Sequence, residues 1–224
     1  MSSSRTFKTG EVIISKLFPA GCGWQAASIL AESANYIPTS LPFFLTVGLG
    51  EGLAVGIGHI TYYTIKKNIA HSNINLKEQI ASSLQLGTAA TMSGTIWQPS
   101  VNLFSSYGFF PSSIGTLCIC GLTFYSGLRF SRSLYGNFLG MQLEKKTKEN
   151  NVNDMLLSVS VAGAAGLFVA TDVSLANNFL ISYFGITDNM SNLAGIGTAG
   201  LSTACGFTGI QLFQNTFLKK NWID

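Results

Sequence analysis

The chain has 224 residues, of which 10% are charged and 47% hydrophobic, against about 25% charged in soluble domains. That is too little charge to coat a water-soluble molecule of this size, so composition points to a membrane protein and excludes a highly charged nucleic-acid binder. The net charge of +3 takes its meaning from where the thirteen Lys and Arg residues lie.

They lie in clusters: Arg5, Lys8 and Lys16; Lys66, Lys67 and Lys77; Arg129, Arg132, Lys145, Lys146 and Lys148; and Lys219 with Lys220. Between clusters run gaps of about fifty to seventy residues without Lys or Arg. Each gap has room for a helical hairpin, since one crossing takes about 20 residues.

The first predicted span covers roughly 10–36 and carries Glu11, Lys16, Gln25 and Glu32. It meets a break at Tyr36-Ile37-Pro38-Thr39-Ser40, a composition that turns the chain. The second span, roughly 41–65, contains Glu51 about eleven residues in, then His59. The third, roughly 78–105, holds Gln85, Gln98, Asn102 and many Ser and Thr. After Ser105-Ser106-Tyr107-Gly108 and Pro111, the fourth runs over roughly 110–133 and ends at Arg129 and Arg132. The fifth and sixth, roughly 154–183 and 190–218, flank the break at 183–189.

The expected fold is therefore all-α: one transmembrane bundle over 1–224, a polytopic protein of about six helices in three hairpins, roughly 10–65, 78–133 and 154–218. The basic clusters then share one side and the opposite three loops carry no Lys or Arg, the asymmetry of the positive-inside rule. It places both termini on the cytoplasmic or matrix side, in a bacterial or a mitochondrial inner membrane. No cleavable signal-peptide pattern is read at the N-terminus.

Small residues recur every four positions at Gly48, Gly52 and Gly56, and again at Gly23, Ala27 and Ala31. Such stripes let helix backbones approach closely, which is ordinary membrane packing and also offers a surface for self-association or for other membrane subunits. Polar faces at membrane depth must turn toward other helices or toward water inside the bundle.

The three hairpins resemble one another. Odd helices open on small residues ("AGCG" at 20–23, "GTAA" at 87–90, "AGAAG" at 162–166) and continue into polar clusters. Those clusters are Glu32 and Asn35; Gln98, Ser100 and Asn102; and Asp172, Ser174, Asn177 and Asn178. Even helices end in aromatic-basic stretches, "YYTIKKN", "RFSRSLYGNF" and "FQNTFLKKNW". In a threefold arrangement the polar clusters would lie at similar depth around one axis.

Three hairpins of this pattern, with "GTAATMSGTIWQPSVN" at 87–102 and "GLRFSRSLYGNF" at 127–138, resemble the mitochondrial carrier family. The carriers' Pro-x-acid-x-x-base motif is not retained: "PSVNLF" keeps Pro99 without either charge, and "SANYIP" and "LANNFL" keep only Asn35 and Asn177 at the acid position. The resemblance implies a degenerate carrier fold lacking the ion pairs that lock a carrier's gate, retained as a structural subunit of a larger membrane assembly.

A charge at the depth of Glu51 costs a few kcal/mol, so this carboxyl must be protonated, paired or reached by internal water. Glu51 and Asp172 are the main candidates for a solute or ion path, with Glu32, Gln98, Asn102, Asn177 and His59 beside them. Arg129 either faces an anion, pairs with Glu51 or Asp172, or snorkels to lipid phosphates.

No catalytic constellation, cofactor motif or metal site is read. Cys22, Cys118, Cys120 and Cys205 all fall in predicted spans, the Cys118-x-Cys120 spacing splits across helix faces, and two histidines are too few for a His-rich site. Two function classes follow: a transporter or channel for a small solute or ion, and a non-catalytic subunit or scaffold of a larger membrane complex.

Overall fold

The computed structural model describes residues 10–70, 73–107 and 192–201, together with Ile119, Thr123, Ser126, Gly127, Arg129, Phe130, Ser131, Leu134, Tyr135, Thr203 and Ala204. These residues are helical apart from short turns, and no strand occurs among them. The third hairpin, except 192–201 and two residues beyond, lies outside the described residues.

An unbroken helical run begins at residue 10, widens into a π-helical segment at Ile13–Leu17, and continues as α1, Phe18–Ser33. Pro19 sits in the first turn of α1, directly after the π-helical segment and inside the continuous helical run, where proline is a recognised cause of departure from regular α-helical bonding. Asn35 ends α1. Its φ of 58° is left-handed, and Asn tolerates that region better than most residues. The Tyr36 N–H then reaches Ala31 O at 3.0 Å and the Asn35 N–H reaches Glu32 O at 2.9 Å, a Schellman closure.

The chain turns through Ile37–Ser40, closed by Ser40 N–H to Ile37 O at 2.8 Å. The Ser40 Oγ accepts from the Phe43 N–H at 3.4 Å and so caps α2, Leu41–Ala70. Asn75 starts α3, Leu76–Ser106, with two hydrogen bonds: its side-chain oxygen accepts from Lys77 N–H at 3.2 Å, and its Nδ2 donates to Glu78 at 2.8 Å. The helical run 10–33 stops three residues short of the predicted span 10–36, α2 covers 41–65 and runs five residues further, and α3 covers 78–105.

Of the described helices, α2 alone is long and apolar enough to cross a membrane, over Leu41–Ile69 with a mean hydropathy of 1.5. The α-helix Phe18–Ser33 has 16 residues, and α3 has the length but carries more polar residues. In α3 those residues satisfy themselves. The hydroxyls of Ser83, Thr88, Thr91, Thr95 and Ser100 each donate to the carbonyl four residues earlier, at 2.7–2.9 Å.

Glycine sets how closely the helices approach. A Cβ on Gly48 would lie 2.6 Å from Thr91 O and Thr95 N, and one on Gly52 would strike Thr91 and Gly87 O. On the other side of α2, a Cβ on Gly50 would strike Ala27, and one on Gly58 would lie 2.5 Å from Pro19. Both small-residue stripes read in the sequence therefore meet neighbouring helices of the same chain. The same closeness continues outward. Gly21 of α1 backs onto Ala199 O, and a Cβ on Gly127 would lie 2.9 Å from Ala89 of α3. Ser131 donates to Gln85 O at 3.3 Å, and Tyr135 pairs with Thr88 at 2.7 Å.

Candidate functional site

Two rows run the length of α2, each at four-residue spacing and offset from one another by two residues, which puts them on opposite faces. One row is Leu41, Leu45, Leu49, Leu53 and Ile57, resuming at Ile65 and Ile69; every one is exposed, Leu53 by 63% and Ile57 by 61%. The other is Phe43, Val47, Glu51, Val55, His59 and Tyr63, in which Val47 and His59 are each 2% exposed. The face that water would demand polar is aliphatic, and the face turned to the neighbouring helices carries the ionisable groups. Among the described residues the buried polar side chains are Ser, Thr and His.

Glu51 lies between α1 and α3. Its Cα is beside Gly23, and its carboxyl occupies the space over Gly94 that any side chain there would fill. Among the described residues it makes no hydrogen bond or ion pair. Pairing with Arg129, one of the arrangements read in the sequence, does not occur: Arg129 is exposed and makes no ion pair with Glu51. The reason is register. Arg129 is two residues from Gly127 and Ser131, which pack on the Gln85–Ala89 turn of α3, whereas Glu51 packs further along α3, at Gly94.

His59 follows two turns after Glu51, about 12 Å along the axis, and does not touch it. Its Nδ1 is 2.9 Å from Ser83 Oγ. The Ser83 hydroxyl also lies 2.7 Å from Gln79 O; with its hydrogen turned there, the imidazole is the donor in the His59–Ser83 bond. The ring also leans on Tyr63, with centroids 4.7 Å apart.

From Tyr63 the polar chain passes to the start of the first helical run. The Tyr63 hydroxyl donates to one Glu11 oxygen, and Lys66 Nζ donates to the other at 2.7 Å. The Lys66 ammonium also sits 5.7 and 5.6 Å from the ring centres of Tyr62 and Tyr63, within cation–π range. Sequence reasoning noted Glu11 as a polar residue and "YYTIKKN" as an aromatic-basic end without joining them. Partners more than fifty residues apart leave no local spacing to read.

At the other end of α2 is a cavity of about 280 Å³ lined by Trp24, Gln25, Ser28, Glu32, Pro38, Phe43, Val47 and Gln98. Here two of the nominated residues, Glu32 and Gln98, come together across α1 and α3. Gln98 Nε2 donates to Asn102 Oδ1 at 3.2 Å, which brings in the third. Trp24, Ser28 and Glu32 were not read as a row, yet they stand one helical turn apart on a single face of α1. Asp172 and Asn177 lie outside the described residues, as do Cys118, Cys120 and Arg132.

The arrangement along the inward face of α2 is thus an acid-bearing cavity, a carboxyl over glycine, a buried imidazole and a tyrosine–glutamate–lysine cluster. Among the described residues no three His, Cys, Asp or Glu side chains gather as a metal site would require. No family model, curated protein or solved structure matches the chain.

Proposed function

We propose that the chain is an integral membrane protein that moves a small solute or ion along the polar interior of a bundle of six helices in three hairpins. The observation that carries this reading is the pair of opposed rows on α2: an aliphatic row facing out and a row bearing Glu51, His59 and Tyr63 facing in. In hydrocarbon, aliphatic exposure has no cost, while an ionisable side chain must face protein or an internal aqueous path. The inverted distribution fits lipid as the surrounding solvent and gives the interior groups a use.

The order of close approaches supports a ring. Ala199 and Thr203 lie against α1, α1 against α2, α2 against α3, and α3 against Gly127, Ser131 and Tyr135. Sequential neighbours of this kind are what a ring of three hairpins would present, and the likeness to mitochondrial carriers belongs to the same reading, as a degenerate member without the gate ion pairs. Both termini and all basic clusters share the cytoplasmic or matrix side of a bacterial or mitochondrial inner membrane.

The test is flux in proteoliposomes. The purified chain is reconstituted and proton and monovalent-cation uptake is measured for the wild type, Glu51→Gln and Asp172→Asn. The expected result is flux that Glu51→Gln reduces at least tenfold. Flux unchanged in both variants would remove the acids from the path. A wild type that conducts nothing and always migrates in mild detergent with a larger assembly would favour a non-catalytic scaffold instead.

A further inference from the structure

We propose that the cavity between α1, α2 and α3 at the Pro38 turn is a binding site for a small organic amine in its ammonium form, with an apolar body. As a statement of substrate class this rests on the transport reading; as a statement of binding it stands on the cavity alone.

Charge comes first. Among the described residues lining the cavity, Glu32 alone is charged. Residues 17–65 contain two acids, Glu32 and Glu51, and no Lys or Arg, and α3 has none after Lys77. The field in and around the cavity therefore favours a cation. Hydrogen-bond polarity comes second. The Ser28 hydroxyl hydrogen is committed to Trp24 O at 2.9 Å, which leaves the Ser28 oxygen as an acceptor. Gln98 turns its amide nitrogen to Asn102 at 3.2 Å, and its carbonyl oxygen has no hydrogen-bond partner among the described residues. With the Glu32 carboxylate, the wall offers three acceptors to a ligand that brings donors, and an ammonium brings three.

Shape comes third. Trp24 and Phe43 supply aromatic surface and Pro38 an apolar edge. A cation beside an indole gains from the ring quadrupole, and an apolar body gains by leaving water. The volume of about 280 Å³ suits a small ligand. An anion would meet Glu32 with no Lys, Arg or His among the described residues lining the cavity.

The test is calorimetric titration of the full-length chain in detergent with three probes of one shape: phenethylammonium, the neutral 2-phenylethanol and the anionic 3-phenylpropanoate. The expected result is saturable binding of phenethylammonium at least tenfold tighter than either of the others. Glu32→Gln should abolish that preference and Glu32→Asp should retain part of it; Glu32 is exposed, so neither change threatens folding. Equal binding of the ammonium and the alcohol, tighter binding of the anion, no binding of any probe, or a preference untouched by Glu32→Gln would each overturn the proposal. Ammonium binding without flux in liposomes would sink transport and leave the site. Glu51-dependent flux without ammonium binding would do the reverse.

Discussion

The close approach of α2 to α3 makes a quantitative prediction for Gly48→Ala and Gly52→Ala. A methyl on Gly48 would lie 2.6 Å from backbone atoms of Thr91 and Thr95, and backbone in a helix cannot swing aside as a side-chain tip can. Restoring ordinary contact requires the helices to part by roughly 1 Å, and a gap of that size forfeits about a quarter to a half of the dispersion energy of each affected pair. Overpacking of this kind costs about 1–3 kcal/mol, more than offsetting the gain of up to about 1 kcal/mol from replacing a helical glycine by alanine. Gly56 is the internal control. It continues the same stripe, yet a Cβ there would meet only Ser83 O at an ordinary 3.4 Å, so Gly56→Ala should be neutral or stabilising by up to about 1 kcal/mol. Unfolding of each variant by denaturing detergent, with the fraction folded followed by circular dichroism, measures the differences. If Gly48→Ala and Gly52→Ala prove as stable as Gly56→Ala, the helix pairing described here is wrong.

Three further outcomes are expected. Ser83→Ala strips the partner from a buried imidazole N–H and should cost about 1–3 kcal/mol, whereas Ser83→Ala combined with His59→Leu should recover part of that loss; a double variant less stable than Ser83→Ala would count against the bond. The Glu11–Lys66 pair is partly exposed, at 19% and 36%, so a double-mutant cycle with Glu11→Gln and Lys66→Met should give a coupling of only about 0.2–1 kcal/mol that shrinks with added salt. A coupling above that range, or one indifferent to salt, would show the pair to be more deeply buried than described. Finally, a single tryptophan at Leu53, with Trp24, Trp97 and Trp222 replaced by Phe, should be quenched by lipids brominated on their acyl chains. Absence of quenching there would refute an aliphatic lipid-facing row.

Much of the helical outline was legible. Pro38 and its neighbours broke the first two spans where the Ile37–Ser40 turn falls, and Asn75 with Glu78 carries the local signature of a helix start. The glycine stripes announced close packing. The stripes did not say against what, because α2 is apolar nearly all round and its periodicity cannot distinguish a lipid face from a packed face. Glu51 was recognised as deep in its helix; of the companions nominated for it, His59 does not meet it and Asp172 lies outside the described residues. It faces Gly94 instead, a residue with no side chain to advertise the contact.

Within the described residues, the sequence by itself determined the first three helical segments to within a few residues at each end, the turn between the first two, and the absence of Lys and Arg from 17–65. These are properties of neighbours along the chain: dihedral preference, capping and local composition. Only the tertiary structure decided that Tyr63 and Lys66 share the Glu11 carboxylate, that His59 pairs with Ser83, and that Trp24, Glu32 and Gln98 enclose one cavity. The physical reason is that side-chain convergence depends on how one helix is rotated and slid against the next. Steric fit at glycine sets that rotation and register, and fit between two surfaces is not written in either one alone.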